Sequence, residues 1–314
     1  SVLMQHFASA QKQRGVAMIV AILVVALASI TAISMTTRHD RDIRRTSNIL
    51  NSDQAWRYGM GAEAFVSIAL NRDAQANKFD HPGEVWLQPV TLPIEEGFLK
   101  GQIQDRQGCF NLNNLTGSKA AEQLAVLQRL LGFLNVDGTL AQKFQDWIDA
   151  DQNAGIPDGA EDNAYFGFTP AYRSGDTNFA SMTELNLIQG MDKATFDTLN
   201  DHVCVLPDNN TAVNVNMATA ELLAALATQG ATPSGMSSLY TNLQNGSTSF
   251  QSVNDFQADP ATAGLTFDVP LTISSEWFLA SASATIVDTT VTQVSLIKRD
   301  AGGAKTVARS RLNF

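Results

Sequence analysis

Between residues 146 and 184 the sequence carries eight carboxylates, Asp146, Asp149, Asp151, Asp158, Glu161, Asp162, Asp176 and Glu184, against one base, Arg173. Carboxylates packed this densely repel one another. A hard divalent cation is the usual relief, because calcium takes about six to eight oxygen ligands from carboxylates, amides and carbonyls. Asp149-x-Asp151-x-Asn153 has the spacing that opens a calcium loop. The full EF-hand pattern is absent, since Ala154 stands where that loop requires Gly and Ala160 fills its twelfth position. A solvated acidic loop with no ion is the alternative reading of the same residues.

Paired carboxylates also work as general acid and base, so a membrane-anchored periplasmic hydrolase using the acidic cluster is the competing class. Other catalytic signatures are missing. The four histidines, His6, His39, His81 and His202, lie far apart, and no Gly-x-Ser-x-Gly elbow, HExxH or P-loop occurs. His202 and Cys204 would share a face in a strand, yet nothing marks either as reactive. The two cysteines, Cys109 and Cys204, are either a disulfide pair or two separate buried thiols, and both readings stay open. The formal net charge is -10, and it becomes -12 without residues 1–15, which hold Lys12 and Arg14 and no acid. That excludes nucleic acid as a partner, because phosphates require a basic face.

Residues 16–35 run without a charge, enough at about 1.5 Å per residue to cross roughly 30 Å of hydrocarbon. Lys12 and Arg14 directly precede this stretch, which predicts a cytoplasmic N-terminus and an exported remainder. Against that stand Arg38, Arg41, Arg44 and Arg45 beyond the span, interleaved with Asp40 and Asp42. A conventional signal peptide cut after Ala26-Leu27-Ala28 is the second reading, although Ile30 and Ile33 continue the apolar run past that point. No Pro follows until Pro82, and Ile43, Leu50, Ala55, Tyr58, Ala62, Phe65, Ile68 and Ala69 recur mostly at three- and four-residue steps. One continuous helix over 16–71 is predicted, about 84 Å long, whose exported half must lay its apolar stripe on a sheet.

Residues 85–113 alternate apolar and polar side chains and predict two or three strands, and residues 277–314 have the same character around an Asp300-Ala301-Gly302-Gly303 turn. Helical patterns fill 120–134, 140–148 and 181–206. The fold class is therefore α+β: a long N-terminal helix packed on an antiparallel sheet, with a large inserted all-α lobe. Two segments echo each other, Phe110-Asn111-Leu112-Asn113-Asn114-Leu115 and Val213-Asn214-Val215-Asn216-Met217-Ala218, and each leads into a helical pattern. The second continues like a helix-hairpin-helix module. Without a Lys or Arg between residues 218 and 267, it reads as a scaffold and not as a DNA reader.

The N-terminus resembles the class III signal of type IV pilins and pseudopilins, a short basic leader ending in Gly15 followed at once by an apolar helix from Val16. An ordinary single-span anchor after a chance Gly is the alternative. The resemblance implies that a prepilin peptidase cuts after Gly15 and methylates the new terminus at Val16. Pilins carry Glu at the fifth mature position, where this chain has Val20. A carboxylate inside a bilayer is costly unless paired, and a subunit that never docks beneath another lacks the neighbouring amino terminus that would pair it. Absence of this Glu is the pattern of the minor pseudopilin K family of type II secretion systems, also called general secretion pathway protein K. The acidic region is similar to that family's at residues 147–151, 159–162, 170–172 and 181–185, with the Asn-x-Phe shortened to Asn178-Phe179.

That resemblance implies a non-enzymatic protein at the tip of the pseudopilus. It would assemble with minor pseudopilins I and J and the next pseudopilins of the filament, and would support export of folded proteins. It also implies two structural calcium ions, with Asp149, Asp151, Asn153, Glu161, Asp162 and Glu184 as ligands. The expected setting is the bacterial inner membrane, crossed once, with the C-terminal domain in the periplasm. The expected division is leader 1–15, membrane span 16–35, periplasmic helix 36–71, first part of the sheet 72–115, helical lobe with calcium loop 116–206, and helix-hairpin-helix-like segment plus returning sheet 207–314.

Overall fold

A computed structural model gives the fold; it describes residues 10–311, with side chains from Gly15 to Arg311. Helix α1 (Ala10–Ala76) has 67 residues, about 100 Å at ~1.5 Å each. Every residue from 15 to 50 is exposed, so the apolar half touches nothing else in the chain. This helix is long and apolar enough to cross a membrane. Within it Ser29, Thr31, Thr36 and Thr37 turn their hydroxyls back onto carbonyls of the preceding turn, which spares those groups an unpaired state in lipid. The helix runs five residues beyond the expected end at Asn71, with no Pro or Gly before Ala76 to stop it.

The chain then forms β1 (Val90–Ile94) and β2 (Gly97–Asp105) and enters the lobe. The lobe holds β3 (Phe110–Asn111), α2 (Ala120–Phe133), α3 (Leu140–Ile148), α4 (Asp162–Tyr165), α5 (Lys193–Leu199), β4 (Val203–Cys204), β5 (Val213–Asn214), α6 (Ala220–Leu226), α7 (Pro233–Gln244), α8 (Val253–Ala258) and β6 (Leu271–Thr272). Strands β7 (Trp277–Ile286), β8 (Thr289–Asp300) and β9 (Gly303–Ser310) complete a five-stranded antiparallel sheet of order β1-β2-β7-β8-β9. Asp105 pairs with Phe278 across the β2–β7 ladder, so the whole lobe is inserted between two neighbouring strands.

From Ala55 onward α1 buries one face on this sheet. Leu70 packs with Ile103, Phe278 and Ile297, and Ala55 packs with Leu99, Ala284 and Ile286. Two polar nodes fix the register. Glu63 receives both Nε and Nη2 of Arg309 at 2.7 Å, and also the Ser295 hydroxyl at 2.6 Å. Burial pushes the Glu63 carboxyl up, but the hydrogen bonds from Arg309 and Ser295 outweigh it and hold the group at about 2. The second node is Arg299 on β8. Its Nη1 reaches Asp73 at 3.1 Å and the Leu70 carbonyl at 3.4 Å, while Nη2 bonds Asp80 and, at 2.9 Å, the Ser275 carbonyl. Ser275 N donates to Asp80 Oδ2 at 2.6 Å, and Asn214 of the lobe donates to Ser275 Oγ at 2.8 Å.

The lobe has one core. Phe110, Leu127, Phe144 and Tyr165 belong to the same cluster as Leu223, Leu243, Phe256 and Val269. The boundary placed at 206 therefore separates no two cores, and the helix-hairpin-helix-like segment is part of the lobe. The helical reading of 181–206 also needs correction. That stretch holds a 3-10 helix at Met182–Leu187, then α5 and β4, with Gly190 at φ 91 breaking the path between the first two. Its apolar residues Met182, Leu185, Ile188, Leu199 and Val203 join the lobe's core from these short pieces, without a long helix to carry them. Cys109 and Cys204 form a disulfide, with Cα atoms 5.8 Å apart, beside the short β3–β4 ladder. It closes a loop of 95 residues, worth about 4–5 kcal/mol in the chain-entropy account.

Arg299 is buried against a buried Asp80, so Arg299→Ala leaves that carboxylate unpaired. The expected loss is about 3–5 kcal/mol in urea unfolding of the purified chain, partly recovered by adding Asp80→Asn. A loss below about 1 kcal/mol contradicts the assignment.

Candidate metal centre

Helix α3 ends in a buried apolar turn, Phe144, Trp147 and Ile148, that also buries Asp146. Asp146 and Asp149 are three residues apart and face the same side of the chain's exit from the helix. The following loop has no regular structure until α4, and there Glu161 returns to the pair. Asp146, Asp149 and Glu161 each bring one carboxylate oxygen to within 4.8 Å of the other two. Gly155 N donates to Asp146 Oδ2 at 2.9 Å, and a Cβ on Gly159 would lie 2.1 Å from the same oxygen. Glycine is required there because the loop passes directly over the carboxylate. Beneath the site Trp147 and Tyr165 meet edge to face at 5.1 Å, and Tyr165 lies 5.4 Å from Tyr172.

Asp149 Oδ1 and Glu161 Oε1 are buried without a hydrogen-bond partner. Ser174 Oγ lies 3.0 Å from Asp162 Oδ1, 2.9 Å from Asp176 Oδ1 and 3.4 Å from Glu161 Oε2, so one hydroxyl proton faces three carboxylates. Burial, then the charges of Asp146 and Asp149, push Glu161 up to about 7. Burial, then Asp151 and Asp146, push Asp149 up to about 6. Asp146 is raised for the same reasons, burial first. Crowded carboxylates with orphaned buried oxygens and oxygen-only neighbours form a donor set that fits a hard divalent cation.

The structure thus unites Asp149 and Glu161 from the expected set. Asp146 is the residue that the sequence reading missed, and its signal was an acid three residues before Asp149 on an otherwise apolar helix face. The remaining four stand outside the three-carboxylate group. Asp151 is exposed and accepts from Asn153 N at 2.8 Å, and Asn153 is exposed as well. Asp162 is held by Ser174 N at 3.0 Å and lies 3.7 Å from Arg173. Glu184 accepts from Ala180 N and Ser181 N at 2.8 and 3.0 Å, in a capping box with Ser181 at the start of the 3-10 helix. Its spacing from Ser181 is a helix-start signal, which is why Glu184 serves the backbone. Gly15, Val16 and Val20 lie on the bare part of α1, all exposed.

A long apolar helix laid on an antiparallel sheet, with an acid-lined helical lobe inserted between neighbouring strands, defines a pilin-like protein of the pseudopilin class. Two family profiles, each described as protein K of the type II secretion system, match residues 108–208 and 213–274. The chain is similar to type II secretion system protein K of Aeromonas hydrophila, 30% identical over 97% of this chain and 98% of that one. It is 36% identical to the Pseudomonas aeruginosa protein K over 68% of each chain. The chain belongs to the type II secretion system protein K family. Its fold matches a chain of the GspK–GspI–GspJ complex of enterotoxigenic Escherichia coli, with a TM-score of 0.74 at 24% identity over 85% of this chain and 98% of that one.

With metal removed by a chelator, the raised carboxyls make stability fall as pH rises. The folded chain holds protons on Glu161 and Asp149 up to about 7 and 6, where an unfolded chain has released them, so acidification from pH 8 to 5.5 favours the fold. Melting temperature should rise by roughly 2–4 °C over that range, and Glu161→Gln should flatten the rise. An unchanged slope in the variant contradicts the site's electrostatics.

Proposed function

We propose that this chain is a non-enzymatic minor pseudopilin that forms the tip of a type II secretion pseudopilus together with pseudopilins I and J. The observation that carries this reading is Val20, an apolar residue at the fifth position after Gly15 in a chain whose lobe projects from the sheet. A subunit with nothing stacked above it has no partner for a carboxylate at that depth, and an apolar side chain avoids its desolvation. The lobe would obstruct a further subunit, while the terminus at Val16 remains available to the subunit below. Cleavage after Gly15 by a prepilin peptidase, methylation of Val16, a single crossing of the inner membrane and a periplasmic sheet and lobe belong to the same reading. The disulfide suits an oxidising compartment.

Within this proposal the lobe binds calcium structurally, and Asp146, Asp149 and Glu161 would hold an ion. Bound calcium would supply charge neutralisation, allowing the loop over Gly155 and Gly159 to stay closed. Three carboxylates converging without a nitrogen or sulfur ligand among them make an oxygen donor set that suits a structural calcium ion. Calorimetric titration of the chelator-stripped chain should show calcium binding and a rise in melting temperature of several degrees, lost in Asp149→Asn. No heat and no shift would refute calcium binding.

Assembly is tested by co-producing the full chain with pseudopilins I and J and purifying on a tag carried by this chain. Both should be recovered with it, and a Val20→Glu variant should assemble but lower the number of filaments started. Failure of the wild-type chain to recover either partner overturns the tip reading.

A further inference from the structure

The arginines directly after the apolar stretch run against the rule that exported flanks are poor in basic residues. Arg38, Arg41, Arg44 and Arg45 are the only Arg or Lys residues between 16 and 50, and Asp40 and Asp42 are the only acids there. All six are exposed on α1, and no ion pair joins any of them among the described residues. Helix spacing also denies them full neutralisation. Asp40 has one arginine at three or four residues, Arg44, while Asp42 has Arg38 and Arg45 and can balance the charge of one. Arg41 has no acid three or four residues away on either side. Arg41 and one of its two helix neighbours are therefore always left without a counter-charge.

Direction and depth select what meets them. Arg38, Arg41 and Arg45 follow at steps of three and four, within about 60° of arc on one face of α1. Exposed Ile43 and Leu50 lie roughly opposite, so the apolar side of this segment is separate from the cationic one. The three arginines stand about 5, 9 and 15 Å along the axis beyond Met35, the end of the apolar span. A headgroup layer about 5–8 Å thick lies over the hydrocarbon at that level. Helical side chains lean toward the helix N-terminus, which here is toward the bilayer, so the two farther arginines lean back to that layer. A guanidinium meets phosphate oxygens with paired hydrogen bonds, which an ammonium cannot do. We infer that Arg38, Arg41 and Arg45 form a clamp for the phosphates of anionic phospholipids in the leaflet on the exported side, holding α1 at a fixed depth. The inference rests on the membrane reading above. With residues 1–15 removed, Arg38, Arg41, Arg44 and Arg45 are the only Arg or Lys side chains left near the bilayer, so depth would be set from this side.

The test uses the full chain, with Lys12→Gln and Arg14→Gln silencing the leader's own charges, reconstituted in phosphatidylcholine vesicles. Trace spin-labelled phosphatidylglycerol or spin-labelled phosphatidylcholine reports by electron spin resonance which lipid the protein retains. Phosphatidylglycerol should be retained at least about threefold over phosphatidylcholine at low salt, and Arg41→Gln/Arg45→Gln should bring the two lipids level. Arg57→Gln, about 33 Å beyond the span and exposed, should keep the preference. All these side chains are exposed, so the melting temperature should stay at the wild-type value. Equal retention of the two lipids by the unvaried arginine face, or a preference that survives Arg41→Gln/Arg45→Gln, overturns the clamp. Loss of pseudopilin I or J on co-production of Arg41→Gln/Arg45→Gln, without any lipid preference in the parent chain, overturns it in favour of a protein partner. A chain that does not enter vesicles at all overturns the membrane reading, and the clamp with it.

Discussion

Arg299, on β8, sits where the end of α1, the segment that follows it and the lobe's exit segment converge, and its guanidinium is divided among all three. It bonds Asp73 and the Leu70 carbonyl on the helix, Asp80 on the connecting segment, and the Ser275 carbonyl just before β7. A planar fork of five donors suits this better than an ammonium would. Burial raises Asp80, and the Arg299 charge opposes that rise, so each ion makes the other tolerable there. Asn214 extends the node into the lobe. A helix anchored through its other half can therefore carry the lobe at a fixed angle, because the joint between them is polar, buried and directional and not merely greasy.

Inside the lobe the two echoing segments use one device. Asn113 exchanges hydrogen bonds with the backbone of Phe179 at 2.8 and 3.0 Å, and Asn216 does the same with Phe250 at 2.9 and 3.0 Å. Each Asn thus pins a distant Phe-x-Ser segment that begins a helical turn. What lies between differs. In the second unit α6 and α7 fill the interval with packed helix. In the first, most of residues 149–180 is loop, and the acids crowd there. That loop buries Tyr165 and Phe179 in the core, and its crowded acids work against closure, which the disulfide around it and the proposed ion within it would offset.

The sequence made the coarse architecture readable because its signals were long. Twenty uncharged residues, an eight-membered apolar stripe and the alternation of 277–310 each offer many matching positions. α2 and α3 fell within a residue of their predicted ends for the same reason. The short elements were hidden. The 181–206 segment has helical composition, yet Gly190 and the Ser181–Glu184 box cut it into pieces. The site was half legible: acid density located the loop, but density alone could not tell which carboxyls cap backbone and which meet in space. Glu184 was claimed by its cap, Asp162 by Ser174, and Asp146 was overlooked because a helix end with buried Trp147 and Ile148 reads as core.

The central proposal is that a calcium ion ties the acidic segment 146–184 onto the lobe's core, while Arg299 and the helix–sheet core hold their own parts independently. Amide hydrogen exchange of the full chain with calcium and with chelator tests it most directly. The account predicts that chelation deprotects residues 146–184 and leaves β7, β8 and α6 protected as before. Equal protection in both conditions, or a loss spread evenly over sheet and lobe, would contradict it.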